Sequence, residues 1–195
     1  MSNAEGGAGM AERASDGIAA EVSALTSAAG RTSVGSLFRH CARAHRDRIA
    51  LVDGERQLTY RVLDERTDRL GQVLLGRGVG RGDRVALLAR NCAEYLEVEL
   101  ACAKIGAITA ALNWRLTGRE LAHCINLVEP RVLIHQREFD GALAQLDLAP
   151  HDRVVLDENY EALLAAAAGG AANAEIDPED GLVILAQLLG HGPQG

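Results

Sequence analysis

Apolar residues recur along this chain with two alternating periods, which predict alternating strands and helices between residues 33 and 185. Short aliphatic runs predict buried strands at VALLA, ITAAL, RVLIH, RVVLDE and LVIL. Between these runs, apolar residues at helical spacing predict amphipathic helices. Strands separated by helices of this length are typical of a mostly parallel sheet covered on both faces. The pattern therefore predicts a doubly wound α/β fold.

Capping residues and apolar stripes locate the individual helices. Ser33 and Thr59 are expected N-caps, because their hydroxyl oxygens can accept a hydrogen bond from the first helical turn. The two helices that follow these caps have predicted core-facing stripes of Val34, Leu37, Phe38 and Cys41, and of Leu63, Thr67, Leu70 and Leu74. The predicted solvent-facing side of the second helix consists of Asp64, Glu65, Asp68 and Arg69.

Later helices and a hairpin complete the predicted elements. After the strands RVLIH and RVVLDE, the segments FDGALAQL and YEALLAAAA are predicted to continue the alternation as helices. The segment AEYLEVELACAKIGA is apolar on most sides and is expected to be buried. A later helix has a stripe of Leu121, Cys124, Ile125 and Val128. The runs RIALVDG and RQLTY flank an Asp-Gly turn, so residues 48–60 are predicted to form a β-hairpin.

Three segments fall outside this pattern. Residues 1–32 are rich in Ala, Gly and Ser and are expected to form a mobile leader. The run AAAAGGAANA at residues 165–174 has low complexity and is assigned no function. The last ten residues carry no charged side chain and match neither period, so residues 186–195 are expected to be an unpatterned tail. The patterned part, residues 33–185, is then a single partial domain.

Composition and charge narrow the function classes. With 48% hydrophobic residues the chain can bury a core. The net charge is -7 and the arginines are scattered in sequence, so neither nucleic acid nor an anionic membrane surface is an expected partner. No run is long enough to cross a membrane, and the amino terminus lacks the order of a signal peptide. A cytoplasmic location is therefore expected.

Chemically reactive side chains are dispersed along the chain. The four cysteines form no C-x-x-C pair, and three of them fall in apolar helical patterns, so buried thiols are expected at Cys41, Cys102 and Cys124. His123 is expected on the polar side of its helix. The glycines of GRGVGRGDR end a helix and precede a strand, which is the reverse of a nucleotide-binding fingerprint. No catalytic, cofactor-binding or metal-binding residue is assigned.

Several short motifs follow one another in a characteristic order. They are LTY, GRGDRVALL, N-x-x-E-Y, AKIGAI and LNWRLT. No single motif is diagnostic, but in this order they resemble the amino-terminal part of the adenylate-forming enzymes, in particular the acyl-CoA synthetases. The resemblance extends from about Ser33 to Leu185. It departs at Val62, where relatives often carry Glu, so Thr59 is expected to cap its helix without a reciprocal capping box.

The resemblance implies a two-step ligase that acts on a carboxylic acid. In the family, ATP and the acid give an acyl-adenylate and pyrophosphate, and the thiolate of coenzyme A then displaces AMP. The first step needs Mg²⁺, backbone N–H donors and a cationic side chain around the phosphates. The resemblance favours a fatty or other apolar carboxylate as the substrate of a full-length relative. Tyr95 and Trp114 are equally well interpreted as core aromatic residues.

The resemblance also implies a phosphate-binding loop directly after the predicted strand LVIL. In the family this loop is rich in Ser, Thr and Gly and ends in Pro-Lys-Gly. The adenine-binding residues, an acidic metal-associated residue and a carboxy-terminal lysine come later. Here AQLLGHGPQG keeps Gly190, Gly192, Pro193 and Gly195 but has no hydroxyl side chain, and Gln194 stands where the lysine is expected. This chain is therefore expected to lack the phosphate loop and every later motif.

A change of reading frame near Leu185 is the preferred explanation for this ending. With suitable synonymous codons, the same nucleotides read one base later encode Leu-Asn-Ser-Ser-Gly-Thr-Gly-Pro-Lys, which is close to the expected loop. An early stop codon, a designed chain boundary and true divergence are the alternatives. The coding DNA downstream of this point distinguishes them.

Two function classes remain open from the sequence. In the first, the chain is an amino-terminal fragment of an acyl-CoA synthetase and is inactive alone; ATP, Mg²⁺ and coenzyme A then belong to a full-length relative. In the second, it is a stand-alone, non-catalytic α/β module that binds a partner or a small molecule. An incomplete sheet exposes an apolar edge, so self-association is expected in the first class.

Overall fold

The alternating runs fold into alternating strands and helices in a computed structural model, which describes residues 32–149, 151–172 and 176–186. The strands are β1 (Ile49–Asp53), β2 (Arg56–Thr59), β3 (Arg84–Leu88), β4 (Ile108–Leu112), β5 (Val132–Gln136), β6 (Asp152–Leu156) and β7 (Val183–Ala186). The helices are α1 (Val34–Ala44), α2 (Tyr60–Gly76), α3 (Ala93–Ile105), α4 (Gly118–Val128), α5 (Asp140–Leu143) and α6 (Glu158–Ala166), and a 3₁₀ turn spans Arg137–Phe139. The predicted caps are in place, because Ser33 accepts from the Ser36 amide and Thr59 from the Val62 amide.

The main sheet has five parallel strands in the order β6-β5-β3-β4-β7. At its centre, Ala86 lies opposite Ala110 on one side and Leu133 on the other. β1 and β2 form a separate antiparallel hairpin, as the Asp-Gly turn predicts. The parallel sheet confirms the predicted α/β class.

Helices cover both faces of this sheet, so the fold is doubly wound. On one face, α2, α3 and α6 pack on β3, β5 and β6 around a core that includes Leu70, Leu74, Val85, Ile105, Ile134 and Leu164. On the other face, α4 and α5 pack around Leu88, Leu112, Leu121, Ile125, Leu133 and Leu143. The predicted stripes of α2 and α4 are buried at every position.

The predicted apolar stripe of α1 is only partly buried. Phe38 packs against a core cluster and Cys41 is half-buried, as the stripe predicts. Val34 and Leu37 are 46% and 53% exposed, whereas Gly35 and Ala42 face the core. At Gly35 the helix lies so close to α3 that an added Cβ would sit 2.5 Å from the Ala103 carbonyl oxygen. A close backbone approach at Gly35, together with Phe38, therefore determines which side of α1 packs.

Two buried charges in α3 were missed by the sequence pattern. Lys104 is buried, and its Nζ donates to Asp64 Oδ1 at 2.6 Å and to Asp68 Oδ1 at 2.9 Å. Glu97 is also fully buried and binds Arg66. Asp64 and Asp68 were predicted to be solvated on α2, but they instead turn toward the Lys104 ammonium, because a buried cation needs compensating carboxylates.

The last described segments also differ from the prediction. The segment FDGALAQL forms only a 3₁₀ turn and the short helix α5. Within 165–174, Ala172 is fully buried against Gly71, and its carbonyl accepts a hydrogen bond from Arg39. Ala186, assigned to the tail, pairs with Leu112 as the last residue of β7. The predicted leader, apart from Thr32, and the tail beyond Ala186 lie outside the described residues.

Candidate functional site

The candidate site lies at the carboxyl ends of three neighbouring strands, β3, β4 and β7. The chain leaves β3 toward α3 on one face of the sheet and leaves β4 toward α4 on the other. This divergence opens a crevice of about 220 Å³ between the strand ends. In open α/β sheets, ligands bind in crevices of this kind, outside the carboxyl ends of the strands.

Aromatic, amide and aliphatic side chains line the crevice. Its principal lining residues are Asn91, Tyr95, Leu112, Asn113, Trp114 and Leu185. Tyr95 lies in the first turn of α3, whereas Asn113 and Trp114 directly follow β4. Leu185 of β7 is 70% exposed at the open side. Tyr95 and Trp114, interpreted equally well as core residues from the sequence, are both half-buried here and meet in one crevice.

Two guanidinium groups stack on the ring of Trp114, which is the only tryptophan of the chain. The Cζ atoms of Arg90 and Arg115 lie 4.4 and 4.1 Å from the ring centroid. Two hydrogen bonds fix the position of Arg90. Its backbone amide donates to Gln136 Oε1 at 2.8 Å, and its side-chain Nε donates to Glu138 Oε1 at 2.7 Å. These contacts connect the loops that follow β3, β4 and β5, and cation–π attraction keeps the indole at the crevice.

The electrostatics of the crevice favour binding over proton transfer. Burial raises the pKa of the Tyr95 hydroxyl, and the nearby Glu99 and Cys92 raise it further. The hydroxyl therefore stays protonated at neutral pH and can serve as a hydrogen-bond donor. Among the described residues, the crevice lining contains no carboxylate, imidazole or thiol. The arrangement can stack a planar group and hydrogen-bond through amides, and it offers no general base.

The dispersed cysteines and histidines do not converge on this crevice. All four cysteines are free thiols; Cys102 and Cys124 are buried, and Cys41 and Cys92 are half-buried. Burial raises the pKa of Cys102 to about 12 and that of Cys92 to about 11, so neither forms a reactive thiolate at neutral pH. His123 is exposed on α4, as predicted. The described part of the chain contains no group of three or more His, Cys, Asp or Glu residues that can hold a metal ion.

Position at the end of a strand was the signal that sequence reasoning overlooked. Asn91, Asn113 and Arg115 follow predicted strands within a few residues, and the carboxyl ends of parallel strands meet at one edge. The segment that stands where the family has its phosphate loop, with Gly190, Gly192, Pro193, Gln194 and Gly195, lies outside the described residues. None of the helices that the structure describes is both long and apolar enough to cross a membrane.

Known proteins resemble this chain in sequence. The sequence model of the AMP-binding enzyme family matches residues 38–185. FadD6, a medium/long-chain-fatty-acid–CoA ligase of Mycobacterium tuberculosis, is 37% identical over 115 residues, which cover 59% of this chain and 19% of FadD6. ScoC, a fatty acid–[acyl-carrier-protein] ligase of Streptomyces coeruleorubidus, is 32% identical over 145 residues, which cover 72% of this chain and 27% of ScoC. This chain thus spans only a minor part of each relative.

A solved structure has the same fold. The amino-terminal domain of FACL13 from Mycobacterium tuberculosis superposes with a TM-score of 0.73 at 25% sequence identity, over 78% of this chain and 41% of that one. The fold and the order of the sequence motifs therefore agree with each other.

Proposed function

The chain belongs to the AMP-binding enzyme family, and on this basis we propose that it forms the amino-terminal part of an ATP-dependent, AMP-forming acyl-CoA synthetase. The proposed reaction of the full-length protein joins a fatty or other apolar carboxylic acid to AMP and then transfers the acyl group to a thiol. Coenzyme A is the proposed thiol, as the name of FadD6 specifies for that relative. The name of ScoC specifies an acyl-carrier protein instead, so an extended chain should be assayed with both thiols.

The observation that carries this proposal is the crevice at the carboxyl edge of the sheet. Its two aromatic side chains and apolar floor suit one wall of a site for an apolar carboxylate, and Asn91 and Asn113 add hydrogen-bonding groups at the same edge. Burial of apolar ligand surface against such a wall favours binding, and a few polar groups fix the orientation of the ligand.

The described residues do not form complete binding sites for ATP, Mg²⁺ and coenzyme A. Sites for small molecules usually enclose about 300–1,000 Å³, whereas this crevice encloses about 220 Å³. Its lining contains no Lys or Arg that could bind a phosphate group, and the described part of the chain contains no group of three or more potential metal ligands. In the proposed full-length protein, ATP, Mg²⁺ and coenzyme A would therefore depend on residues that follow β7, and the residues described here would supply one wall.

The 195-residue chain is accordingly expected to form no acyl-adenylate by itself. ATP–pyrophosphate exchange with a panel of fatty and aromatic acids measures this step directly, with full-length FadD6 as the positive control. We expect exchange at the level of a no-protein sample, because preorganised donors around the phosphates supply most of the rate in such reactions. Exchange that depends on the added acid and clearly exceeds that background would contradict the proposal.

Self-association and a cytoplasmic location are further parts of this proposal. Val183 and Leu185 of the edge strand β7 are 40% and 70% exposed, and apolar edge strands favour pairing between chains. Sedimentation velocity should detect oligomers whose share rises with concentration. A sharp two-state melt together with a monodisperse monomer would instead favour the stand-alone α/β module.

A further inference from the structure

A second cleft, of about 560 Å³, lies at the opposite edge of the sheet, at the amino ends of β3, β5 and β6. Its ionisable lining residues include Arg77, Arg84, Arg131, Glu129, His151 and Asp152. It shares no lining residue with the carboxyl-edge crevice. Its volume falls within the range of about 300–1,000 Å³ that is typical of small-molecule sites.

The carboxylates of this cleft are largely committed to partners. Asp152 Oδ2 lies 2.5 Å from Arg77 Nη1, and this contact lowers the pKa of Asp152. Asp83, which also lines the cleft, accepts a hydrogen bond from the Gly80 amide at 2.9 Å. Glu129 points into solvent with a 79% exposed side chain, 3.8 Å from Arg84. Asp152 and Glu129 thus each lie beside an arginine other than Arg131, and Asp83 is engaged by a backbone amide.

The guanidinium group of Arg131, at the rim of the cleft, is not engaged by any of these carboxylates. Among the described residues, the Arg131 side chain has no hydrogen-bond or ion-pair partner, whereas Arg84 donates to the carbonyls of Val128 and Glu129. Arg131 lies across Gly78, where an added Cβ would sit 3.0 Å from its Nη2. Because Gly78 has no side chain and a φ of 77°, the guanidinium is held close to the backbone at the rim of the cleft.

An imidazole nitrogen in the cleft also lacks a partner. His151 Nδ1 lies 2.7 Å from the Ala149 carbonyl oxygen, so Nδ1 carries the hydrogen of this bond. The other nitrogen, Nε2, is buried and has no hydrogen-bond partner among the described residues. A buried polar atom without a partner is costly, and a bound ligand would relieve that cost.

We propose that this amino-edge cleft binds a phosphate monoester, with the phosphate group between Arg131 and His151. Phosphate oxygens suit the forked donors of a guanidinium group. Nε2 takes part once the imidazole turns from its buried position toward the cleft. A singly protonated phosphate can then donate its O–H to Nε2, or its dianion can accept from the protonated imidazole. The same group thus satisfies both unpartnered side chains, and the remaining volume accommodates the organic part of the ester.

Isothermal titration calorimetry of the full 195-residue chain tests this proposal. The probes are ribose 5-phosphate, orthophosphate and ribose, at constant ionic strength and neutral pH. We expect saturable binding of ribose 5-phosphate, weaker binding of orthophosphate and none of ribose. Binding of orthophosphate as tight as that of the ester would assign the site to free phosphate and overturn the ester assignment.

A pair of arginine variants separates a built site from general charge attraction. Arg131→Gln should weaken ribose 5-phosphate binding by about tenfold or more, because it removes a charge-assisted contact. Arg153→Gln removes the same charge from an exposed residue of β6 outside the cleft lining, and should change the affinity by less than about twofold. Equal losses in the two variants, or no saturable heat in the parent chain, would overturn the proposal.

The imidazole gives an independent measurement. In a ¹⁵N-labelled sample, the His151 ring signals, identified by their loss in His151→Phe, should shift on addition of ribose 5-phosphate. Far-UV circular dichroism should show that the Arg131 and Arg153 variants remain folded, since both side chains are exposed. Ring signals that stay in place at saturating ester would exclude His151 from the site.

Discussion

Neutralisation of Glu97 by the substitution Glu97→Gln should destabilise the protein far more than Glu161→Gln. Both carboxylates bind the guanidinium of Arg66 through two hydrogen bonds. They differ in burial, because the Glu97 side chain is 0% exposed and that of Glu161 is 59% exposed. Glu97 also accepts a hydrogen bond from the buried Tyr160 hydroxyl at 2.9 Å. Arg56 Nη2 lies 3.5 Å from Glu97 Oε1 and 3.7 Å from Glu161 Oε1, so the two positions form a matched pair on the same two cations.

The expected magnitudes follow from solvation. In Glu97→Gln, the new amide presents N–H donors to partners that are donors themselves, and Arg66 loses its buried counter-charge. Loss of such contacts should cost about 2–4 kcal/mol. In Glu161→Gln, water replaces the lost charge, and the cost should be about 0.2–1 kcal/mol. Burial opposes the charge of Arg66, but its hydrogen bonds to Glu161 and Glu97 raise its pKa, so the cation persists in both variants.

Urea denaturation at neutral pH measures both changes, with far-UV circular dichroism and Trp114 fluorescence as probes. For a chain of this size, the larger loss corresponds to a fall in melting temperature of roughly 5–15 °C. Added salt should reduce the loss of unfolding free energy in Glu161→Gln and leave the loss in Glu97→Gln unchanged, because salt screens buried ion pairs poorly. A Glu97→Gln chain that is already unfolded without urea agrees with the expectation. Costs for the two variants within about 0.5 kcal/mol of each other would refute the reasoning.

Three further predictions concern packing, pH and the coding DNA. Gly35→Ala should lower the unfolding free energy by about 1–3 kcal/mol, because the new Cβ clashes with the Ala103 carbonyl oxygen. In the control variant Gly76→Ala, the added Cβ meets nothing within 4 Å, so the melting temperature should stay unchanged or rise. Desolvation, followed by the charge of the neighbouring Glu97 carboxylate, raises the pKa of Tyr160 well above its usual value of about 10. The stability that the protonated Tyr160 hydroxyl contributes is therefore complete below about pH 10 and is lost as the pH rises from there through the raised pKa. Tyr160→Phe should reduce the alkaline loss of unfolding free energy measured by urea titration, and an unchanged dependence of that free energy on pH would contradict this. Resequencing across the codons for Leu185–Gly195 should reveal Ser-Ser-Gly-Thr followed by Pro-Lys-Gly one base out of frame, and codons that cannot encode this in any frame would exclude the frame change.

The sheet and most helix faces could be predicted because large apolar residues set their periodicity. The stripe of α2, for example, is buried as the spacing of Leu63, Leu70 and Leu74 indicates. The orientation of α1 could not be predicted in this way, because Gly35 and Ala42 contribute contact through small size rather than through apolar area. Weighting a helix by its largest side chains therefore fails where two backbones approach closely.

The buried charges and the crevice depend on residues that are distant in sequence. Lys104 is acceptable in the core only because Asp64 and Asp68 of α2 reach it, and a sequence gives no direct sign of that pairing. Tyr95 and Trp114 likewise meet only because β3 and β4 are neighbours with diverging connections. The ends of the predicted strands could have indicated that the crevice lies at the carboxyl edge of the sheet. They could not have indicated which side chains meet there.

The position of β7 beside β4 has a consequence for biosynthesis. β3, β4, β5 and β6 are all translated before residue 157, yet β4 gains its outer neighbour only when Val183–Ala186 leave the ribosome. Until then, the backbone edge of Ile108–Leu112 has no strand beside it, and pairings between residues far apart in sequence form slowly. The nascent chain therefore passes through a stage in which a central apolar strand is open to other chains or to chaperones. We expect substitutions in β7 to reduce the yield of folded protein from synthesis more strongly than they reduce the stability of molecules that have already folded.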